Sequence, residues 1–246
     1  MELLPNQVSP YYTNLLNKLA FAASSSNENL EERQEAAEAF VAINRQCTPS
    51  KAEEHIEENE LADPLGAKLY QKTDRLVHQY KNRCLLLTTS KCFTYCRFCF
   101  RRSFAGKGTG FINSTEMASV SDYLSQHPEI KEILISGGDP MTGSDQTLNA
   151  LFYAIRKARP GILIRLCTRA PIFAPERFTQ ETIDLLKKYA PLWVIPHINH
   201  PVEISEKWSP KSYEVLTTLI QNGIPIQSQT VLLHGINDNV KTLTSL

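Results

Sequence analysis

Residues 83–99 read RCLLLTTSKCFTYCRFC, and this stretch decides the fold of the chain. Its first half is a short apolar run, which is typical of a strand buried in a parallel sheet. Its second half is a loop in which Cys92, Cys96 and Cys99 are spaced C-x3-C-x2-C. The sequence therefore predicts a buried strand over residues 84–89, with a group of thiols directly beyond its carboxyl end.

The same alternation continues through the rest of the chain. Stretches with helical spacing of their apolar residues separate further apolar runs of strand length. Such units form parallel sheets with right-handed crossovers, and ligands bind where the carboxyl ends of the strands meet. The pattern predicts an α/β protein with a parallel partial TIM-type barrel, an incomplete (β/α)6 with about five β/α units present. The predicted strands are residues 84–89, 132–136, 162–167, 192–198 and 226–233.

The chain divides into two predicted regions. Residues 1–75 are polar and helical in pattern, notably at 28–45 and 49–60, and form an N-terminal cap or lead-in with no assigned function. Residues 76–246 hold the barrel core. A fifth helix begins near residue 239 and no strand follows it, so we expect the chain to stop before the last strand of the full architecture.

Composition excludes several classes of function. The 26 basic residues balance the 26 acidic ones, so no net charge attracts nucleic acid or an anionic membrane. No apolar run approaches the roughly 20 residues of a membrane span, and the first residues lack the order of a signal peptide. We therefore expect a cytoplasmic protein with a small-molecule substrate and no nucleic-acid or membrane partner.

The three clustered cysteines are candidate metal ligands. A structural zinc site has four ligands, and no fourth Cys or His stands nearby at a matching spacing. Three thiolates on one loop suit a [4Fe-4S] cluster, because they hold three irons and leave the fourth open to another ligand. We favour the cluster, and a zinc-binding structural module is the non-enzymatic alternative.

The cysteine spacing after the first strand resembles the signature of the radical S-adenosylmethionine (SAM) superfamily. Within it, the chain resembles the lysine 2,3-aminomutase family from near Asp63 to its end. The cysteine motif fixes only the superfamily, and the ordered set of the other segments carries the family resemblance. These segments are residues 63–65, 82–83, 101–106, 136–140, 169–171, 197–201 and 235–238.

The resemblance implies an aminomutase that interconverts L-lysine and β-lysine by a 2,3-amino shift. Its cofactors would be a [4Fe-4S] cluster on Cys92, Cys96 and Cys99, S-adenosyl-L-methionine at the open iron, and pyridoxal 5′-phosphate. An electron donor such as flavodoxin or ferredoxin is implied, and a homo-oligomer is an open option. The family's Schiff-base lysine belongs beyond the fifth helix, so no lysine of this chain is given that role.

Residues at the ends of the later strands receive cofactor roles from the resemblance. The glycine-rich turn after the second strand would contact the amino group of SAM, the arginine after the third would lie beside it, and polar residues of the fourth and fifth would contact the cofactor. Their structural alternatives are a plain turn, a surface charge, a structural histidine and a buried amide. The residues are Ser136, Gly137, Gly138, Asp139, Arg169, His197, Asn199 and Gln229.

The resemblance implies further contacts with the substrate and with pyridoxal phosphate. Arg101 resembles the residue that binds the substrate's α-carboxylate, a role that suits a planar guanidinium. Its alternative is a solvated charge beside Arg102. Tyr80 and Arg83, just before the first strand, resemble positions near pyridoxal phosphate, with ordinary edge residues as the alternative.

Two finer interpretations stay open. Some family members carry a zinc-binding cysteine where this chain has Asn239. The chain therefore resembles a shorter type that includes the lysine aminomutases acting in elongation factor P β-lysylation. A glutamate 2,3-aminomutase is the second alternative, because the segment that would contact the substrate side chain is not in the sequence.

Overall fold

The computed structural model describes residues 3–55, 58, 61 and 63–246. Within these residues the core is a six-stranded sheet whose strands follow one another in chain order. The first three strands pair antiparallel with each other, and the third to sixth pair parallel. The strands are β1 (Gln71–Thr73), β2 (Leu76–Tyr80), β3 (Arg83–Thr89), β4 (Glu132–Gly137), β5 (Leu163–Thr168) and β6 (Leu192–Pro196).

Helices connect the parallel strands and cover one face of the sheet. The sheet does not close, so the predicted α/β fold with a partial TIM-type barrel is confirmed. In the part of the chain that the structure describes, no helix combines the length and apolar character needed to cross a bilayer. The helices of this region are α3 (Ser114–Gln126), α4 (Asp145–Ala158), α5 (Ala170–Phe173), α6 (Gln180–Lys188), α7 (Pro210–Gln221) and α8 (Val240–Thr244).

Alternate residues of the parallel strands face two different environments. Ile133 and Ile135 of β4 and Leu166 of β5 lie under the helices and are fully buried. Leu134 and Ser136 alternate with them, are half-buried, and line a cavity on the opposite face. This second, concave face of the open barrel is therefore accessible to a ligand.

The predicted fifth strand, residues 226–233, is not a regular strand, and this part of the prediction is wrong. The segment meets β6 at two isolated parallel bridges, one at Val194 and one at His197. A continuous parallel ladder would use the backbone N–H of residue 196 between these bridges, and Pro196 has no N–H to donate. The proline therefore divides the pairing into two short pieces.

The antiparallel strands β1 and β2 were not predicted, and β1 lies in the region interpreted as helical. Leu76 and Val77 of β2 are buried against β3, whereas the rest of β2 becomes progressively exposed. Strands of three and five residues are too short to show a clear alternating pattern. Their pairing with β3 depends on tertiary contacts rather than on local sequence.

The N-terminal segment, residues 3–55, packs on the carboxyl-end side of the barrel. Its helices α1 (Pro10–Ser24) and α2 (Leu30–Asn44) share an apolar cluster with Phe173 of α5 and Ile198, directly after β6. A short 3-10 turn, Lys51–Glu54, stands where the sequence predicted a helix over residues 49–60. Positions 56, 57, 59 and 60 of that prediction lie outside the described residues.

Candidate functional site

A cavity of about 290 Å³ lies where the cysteine loop, residues 90–106, meets the carboxyl ends of the parallel strands. The strands reach it in register, since Thr89 lies opposite Gly137 and Thr168 opposite Pro196. The topology thus brings together residues far apart in sequence. The predicted site residues that line the cavity are Cys92, Cys96, Cys99, Arg101, Ser136, Gly137, Gly138, Asp139, Arg169, His197 and Gln229.

The three thiols of the cysteine loop are half-buried and form no disulfide bonds. Burial raises the pKa of the Cys92 and Cys99 thiols, so these groups release their protons when a metal binds them. Among the described residues, no group of three His, Cys, Asp or Glu side chains is placed to hold a single metal ion. A [4Fe-4S] cluster requires a wider arrangement, with each thiolate on its own iron, and the three cysteines on one cavity wall fit it.

The glycine-rich turn after β4 lets two backbones approach closely. A Cβ on Gly138 would lie 2.2 Å from the carbonyl oxygen of Lys91, and Gly137 has a φ of +116°. The N–H groups of Gly138 and Asp139 donate to the carbonyls of Thr89 and Lys91, at 2.5 and 2.7 Å. Because a side chain would not fit there, the glycines fix the cysteine loop against the end of β4.

The Asp139 carboxylate joins this turn to the end of β5. It is buried and accepts hydrogen bonds from the Thr168 hydroxyl at 2.7 Å, the Arg169 N–H at 2.9 Å and the Met141 N–H at 3.0 Å. Burial raises the pKa of Asp139, while these donors favour its ionised form. Asp139 therefore fixes the backbone position of Arg169 at the end of β5. The contact of Asp139 with SAM stays a prediction.

Arg169 extends a buried guanidinium to the cysteine loop. Its Nη1 donates to Cys96 Sγ at 3.0 Å, and its Nη2 donates to Glu203 Oε1 at 2.6 Å. The Phe173 ring lies 4.3 Å from the guanidinium carbon. Burial lowers the pKa of Arg169, but Cys96 and Glu203 raise it more, so the side chain stays a cation. A positive charge thus stands beside one of the predicted iron ligands.

His197 presents an unpartnered nitrogen at the cavity wall. Its Nε2 is buried and has no hydrogen-bond partner, and the Phe98 ring packs edge-on against the imidazole at 5.6 Å. Burial and the nearby charge of Arg169 lower the pKa of His197 to about 3, so the ring is neutral near pH 7. A buried polar atom of this kind needs a partner, and a ligand in the cavity would supply one.

Arg101 lines the same cavity from the cysteine loop. Its guanidinium carbon lies 4.6 Å from the centre of the Phe100 ring, and burial lowers the pKa of the group. Within the part of the chain that the structure describes, the guanidinium has no hydrogen-bond partner. An arginine in this state suits an anionic ligand such as a carboxylate.

Tyr80 and Arg83 do not line the cavity. Arg83 begins β3, at the end of the strand opposite to the cysteine loop, and its guanidinium lies 5.9 Å from the centre of the exposed Tyr80 ring. No lysine lines the cavity among the described residues. The residues that the structure brings together therefore do not form a site for pyridoxal phosphate.

Two other predicted contacts differ from expectation. Asn199 is fully buried away from the cavity, where its amide donates to Gln46 Oε1 at 3.0 Å and accepts from the Val231 N–H at 3.1 Å. The partners of its side chain are therefore protein groups. Gln229 lines the cavity but is exposed rather than buried, and it meets β6 only at an isolated bridge to His197.

The sequence did not point to the buried residues behind Arg169. The Tyr12 hydroxyl in α1 donates to Glu203 Oε1 at 2.7 Å, and Gln46, beyond α2, accepts from Arg169 Nη2 at 3.2 Å. Tyr12 and Gln46 carry no local signal, because their partners lie far along the chain. Glu203 does carry a local signal in the sequence, because it stands three residues after His200, which is the spacing of a capping box. In the structure its carboxylate accepts a hydrogen bond from the His200 N–H.

Known proteins resemble this chain over most of its length. A family model described as the radical SAM superfamily matches residues 86–245. A Treponema pallidum protein provisionally named L-lysine 2,3-aminomutase is 47% identical over 205 residues, which are 83% of this chain and 57% of that protein. The L-lysine 2,3-aminomutase of Fusobacterium nucleatum is 35% identical over 204 residues, 83% of this chain and 47% of its own. The glutamate 2,3-aminomutase of Clostridioides difficile is 32% identical over 188 residues, 75% of this chain and 44% of its own.

The chain spans about half the length of the curated relatives it matches. The range matched by the superfamily model contains the cysteine loop and the strands β4, β5 and β6. The residues that line the cavity, from Cys92 to Val231, all fall inside it. By this match and by the similarity to these relatives, the chain belongs to the radical SAM superfamily and, within it, to the lysine 2,3-aminomutase family.

Proposed function

We propose that this chain carries the radical-generating site of an aminomutase that interconverts L-lysine and β-lysine. The observation that carries the proposal is the placement of three free thiols on one cavity wall at the carboxyl ends of the parallel strands. The relatives named lysine 2,3-aminomutases, at 47% and 35% identity, support the reaction.

Cys92, Cys96 and Cys99 would hold three irons of a [4Fe-4S] cluster, and the cavity beside them would hold SAM. His197 supports this assignment, because its buried Nε2 lacks a partner and a nucleoside atom would supply one. When bound, the cluster and SAM together supply a carbon-centred radical able to remove a hydrogen atom from the substrate.

The chain's own residues bind and orient the ligands. The unpartnered guanidinium of Arg101 would hold the carboxylate of an amino acid in the cavity. Phe98 and Phe100 line the same space, and their rings would shield a bound ligand from water. Arg169 keeps its charge directed at Cys96, while Ser136 and the turn after it form the facing wall.

Pyridoxal phosphate is implied by the family resemblance, but the cavity residues do not fit it. Tyr80 and Arg83 lie at the opposite end of β3, and no described lysine lines the cavity. We therefore derive no step of the reaction through this cofactor and assign it no residues of the chain.

The proposal is tested on the chain prepared without oxygen in the presence of iron and sulfide. We expect bound iron and sulfide, and cleavage of SAM to 5′-deoxyadenosine when dithionite is added, both lost in Cys96→Ala. Mass spectrometry then measures β-lysine formed from L-lysine with pyridoxal phosphate present. Absence of iron and sulfide would reject the radical site, and a colourless zinc-loaded protein would support the structural-module alternative. SAM cleavage without β-lysine would reject the lysine reaction alone.

Glutamate is the second candidate substrate, because the glutamate 2,3-aminomutase of Clostridioides difficile is 32% identical to this chain. Supplying L-glutamate in the same assay distinguishes the two, since its amino shift gives β-glutamate. If β-lysine forms, adding elongation factor P and its ligase tests whether that product is the one attached to the factor.

A further inference from the structure

Four buried side chains form a hydrogen-bonded network behind the cysteine loop. They are Tyr12 and Gln46 of the N-terminal segment, Arg169 at the end of β5, and Glu203 beyond β6. Arg169 is 6% exposed, Gln46 is 1% exposed, and Tyr12 and Glu203 are fully buried. A buried network of this kind is stable only when each charged group has a partner of opposite charge or enough hydrogen-bonding partners.

The Glu203 carboxylate accepts hydrogen bonds from donors in three directions. Its Oε1 accepts from the Tyr12 hydroxyl at 2.7 Å and from Arg169 Nη2 at 2.6 Å. Its Oε2 accepts from the backbone N–H groups of Asn199 at 2.8 Å and His200 at 3.2 Å. The negative charge is therefore fixed in place. Because Glu203 contacts Nη2 of Arg169, the other terminal nitrogen, Nη1, can contact the cysteine loop.

That nitrogen, Arg169 Nη1, donates to Cys96 Sγ at 3.0 Å. Gln46 Oε1 accepts from Nη2 at 3.2 Å, so the guanidinium is held from two sides besides its contact with sulfur. The contact joins a predicted iron ligand to a buried pair of opposite charges. Hydrogen bonds to sulfur and nearby charges are the groups through which a protein adjusts the potential of an iron–sulfur cluster.

We propose that the Glu203–Arg169 pair, held by Tyr12 and Gln46, sets the reduction potential of the cluster bound by the cysteine loop. The inference rests on the proposed function. Reduction adds a negative charge to the cluster, so the Arg169 cation and its N–H···S bond favour the reduced state, and the Glu203 carboxylate opposes it. The four residues are positioning residues, and the N-terminal segment thereby takes part in the site.

The test is a redox titration of the reconstituted chain without SAM, followed by the electron paramagnetic resonance signal of the reduced cluster. Glu203→Gln keeps the shape and removes the negative charge, so we expect the reduction equilibrium to move towards the reduced form by about tenfold, which is about 59 mV for one electron. Arg169→Gln removes the cation and should move the equilibrium by a similar factor in the opposite direction. A purely structural role would not give shifts of opposite sign at equal iron content.

A matched pair of tyrosine variants tests the N-terminal contribution. Tyr12→Phe removes the donor to Glu203 and leaves more negative charge facing Arg169, so we expect a shift of about threefold towards the oxidised form. Tyr11→Phe is the control, because Tyr11 lies on the same helix but its hydroxyl contacts Ser212 instead.

The outcomes separate the two proposals. Wild-type protein without iron and sulfide would reject the proposed function. A wild-type cluster whose potential does not respond to Glu203→Gln and Arg169→Gln, or responds in one direction to both, would reject this inference alone. If either charge variant does not fold, equal potentials for Tyr12→Phe and Tyr11→Phe would overturn the inference.

Discussion

The parallel sheet and the N-terminal segment both hold the cysteine loop, but the N-terminal segment adds more side-chain contacts. On the sheet side, backbone N–H groups of Gly138 and Asp139 bond directly to backbone carbonyls of the loop and of β3. On the N-terminal side, the Gln7 amide donates to the carbonyls of Cys92 and Phe93 at 2.9 and 3.1 Å. The N-terminal segment also makes two backbone bonds to the loop, in which the Tyr95 and Arg97 N–H groups donate to the carbonyls of Gln7 and Gln46. It differs from the sheet side in the larger number of side-chain contacts that it adds to these backbone bonds.

The N-terminal contacts also include a buried ion pair. Arg97 of the cysteine loop donates through Nη2 to Glu53 Oε2 at 2.5 Å and through Nη1 to the carbonyl of Pro5 at 3.1 Å. Both charged side chains are mostly buried, at 7% and 12% exposure. Both sides therefore contribute to the stability of the loop, and they can be compared by substituting one residue of each.

The largest effect is expected from the cysteine loop itself. Replacing Cys92, Cys96 or Cys99 by Ser one at a time removes a soft iron ligand, so we expect nearly all bound iron and sulfide to be lost. The control is Cys47→Ser, because Cys47 is a buried thiol of the N-terminal segment that bonds to carbonyls of α2. Iron and sulfide analysis after anaerobic reconstitution measures the effect. Equal iron loss in the control would show that the substitutions act through folding.

On the sheet side, a single added methyl group should disturb the contact between the turn after β4 and the cysteine loop. Gly138→Ala places a Cβ against the Lys91 carbonyl, which is held by the Asp139 N–H, so we expect the free energy of unfolding to fall by about 3 kcal/mol or more. Gly161→Ala is the control, since nothing lies within 4 Å of the added Cβ, and its effect should stay within about 1 kcal/mol. Urea denaturation of the metal-free chain measures both, and equal midpoints would contradict the close approach.

The N-terminal side is tested through its apolar cluster. Leu19 of α1 is fully buried in the cluster that α1 and α2 share with the end of the barrel. Leu19→Ala should therefore lower the free energy of unfolding by about 2–5 kcal/mol. Leu30→Ala is the control, because that side chain is 78% exposed, and should change it by no more than about 0.5 kcal/mol.

The shape of the unfolding curve carries the comparison further. If the segment and the sheet form one cooperative unit, fluorescence and circular dichroism should report the same shifted midpoint for Leu19→Ala. A separate early transition confined to the helical signal would show that the segment unfolds independently of the sheet.

The units around the sheet could be predicted because each depends on local pattern. Asn113 and Glu116 form the expected capping box of α3, and the apolar runs of β3 to β6 fall where they were predicted. The prediction of a fifth strand was wrong because of a single residue. Pro196 has no N–H, and this matters only once the neighbouring segment in the sheet is known.

The candidate site could be predicted where a residue type has few other uses. The cysteine spacing and the glycine-rich turn indicate the cavity from the sequence alone. Tyr12 and Gln46 could not be found in this way, because neither a tyrosine on a helix nor a glutamine just beyond one carries a sign of a partner beyond β5. The hydrogen bonds of Asn199 could not be predicted for the same reason, since its amide donates to Gln46 of the N-terminal segment.

The most gradual expected effect is a dependence of stability on pH at His197. Burial and the charge of Arg169 lower the pKa of His197 from 6.5 to about 3 in the folded chain. Between these values the unfolded chain binds a proton that the folded chain does not, so the free energy of unfolding falls as the pH falls, by at most about 1.4 kcal/mol per pH unit. His197→Gln removes the titrating group, and urea midpoints of the metal-free chain from pH 7 to 4 should then fall less steeply than in wild type. Identical slopes would show that the imidazole is solvated, and the Nε2 atom would no longer be a buried group in need of a ligand.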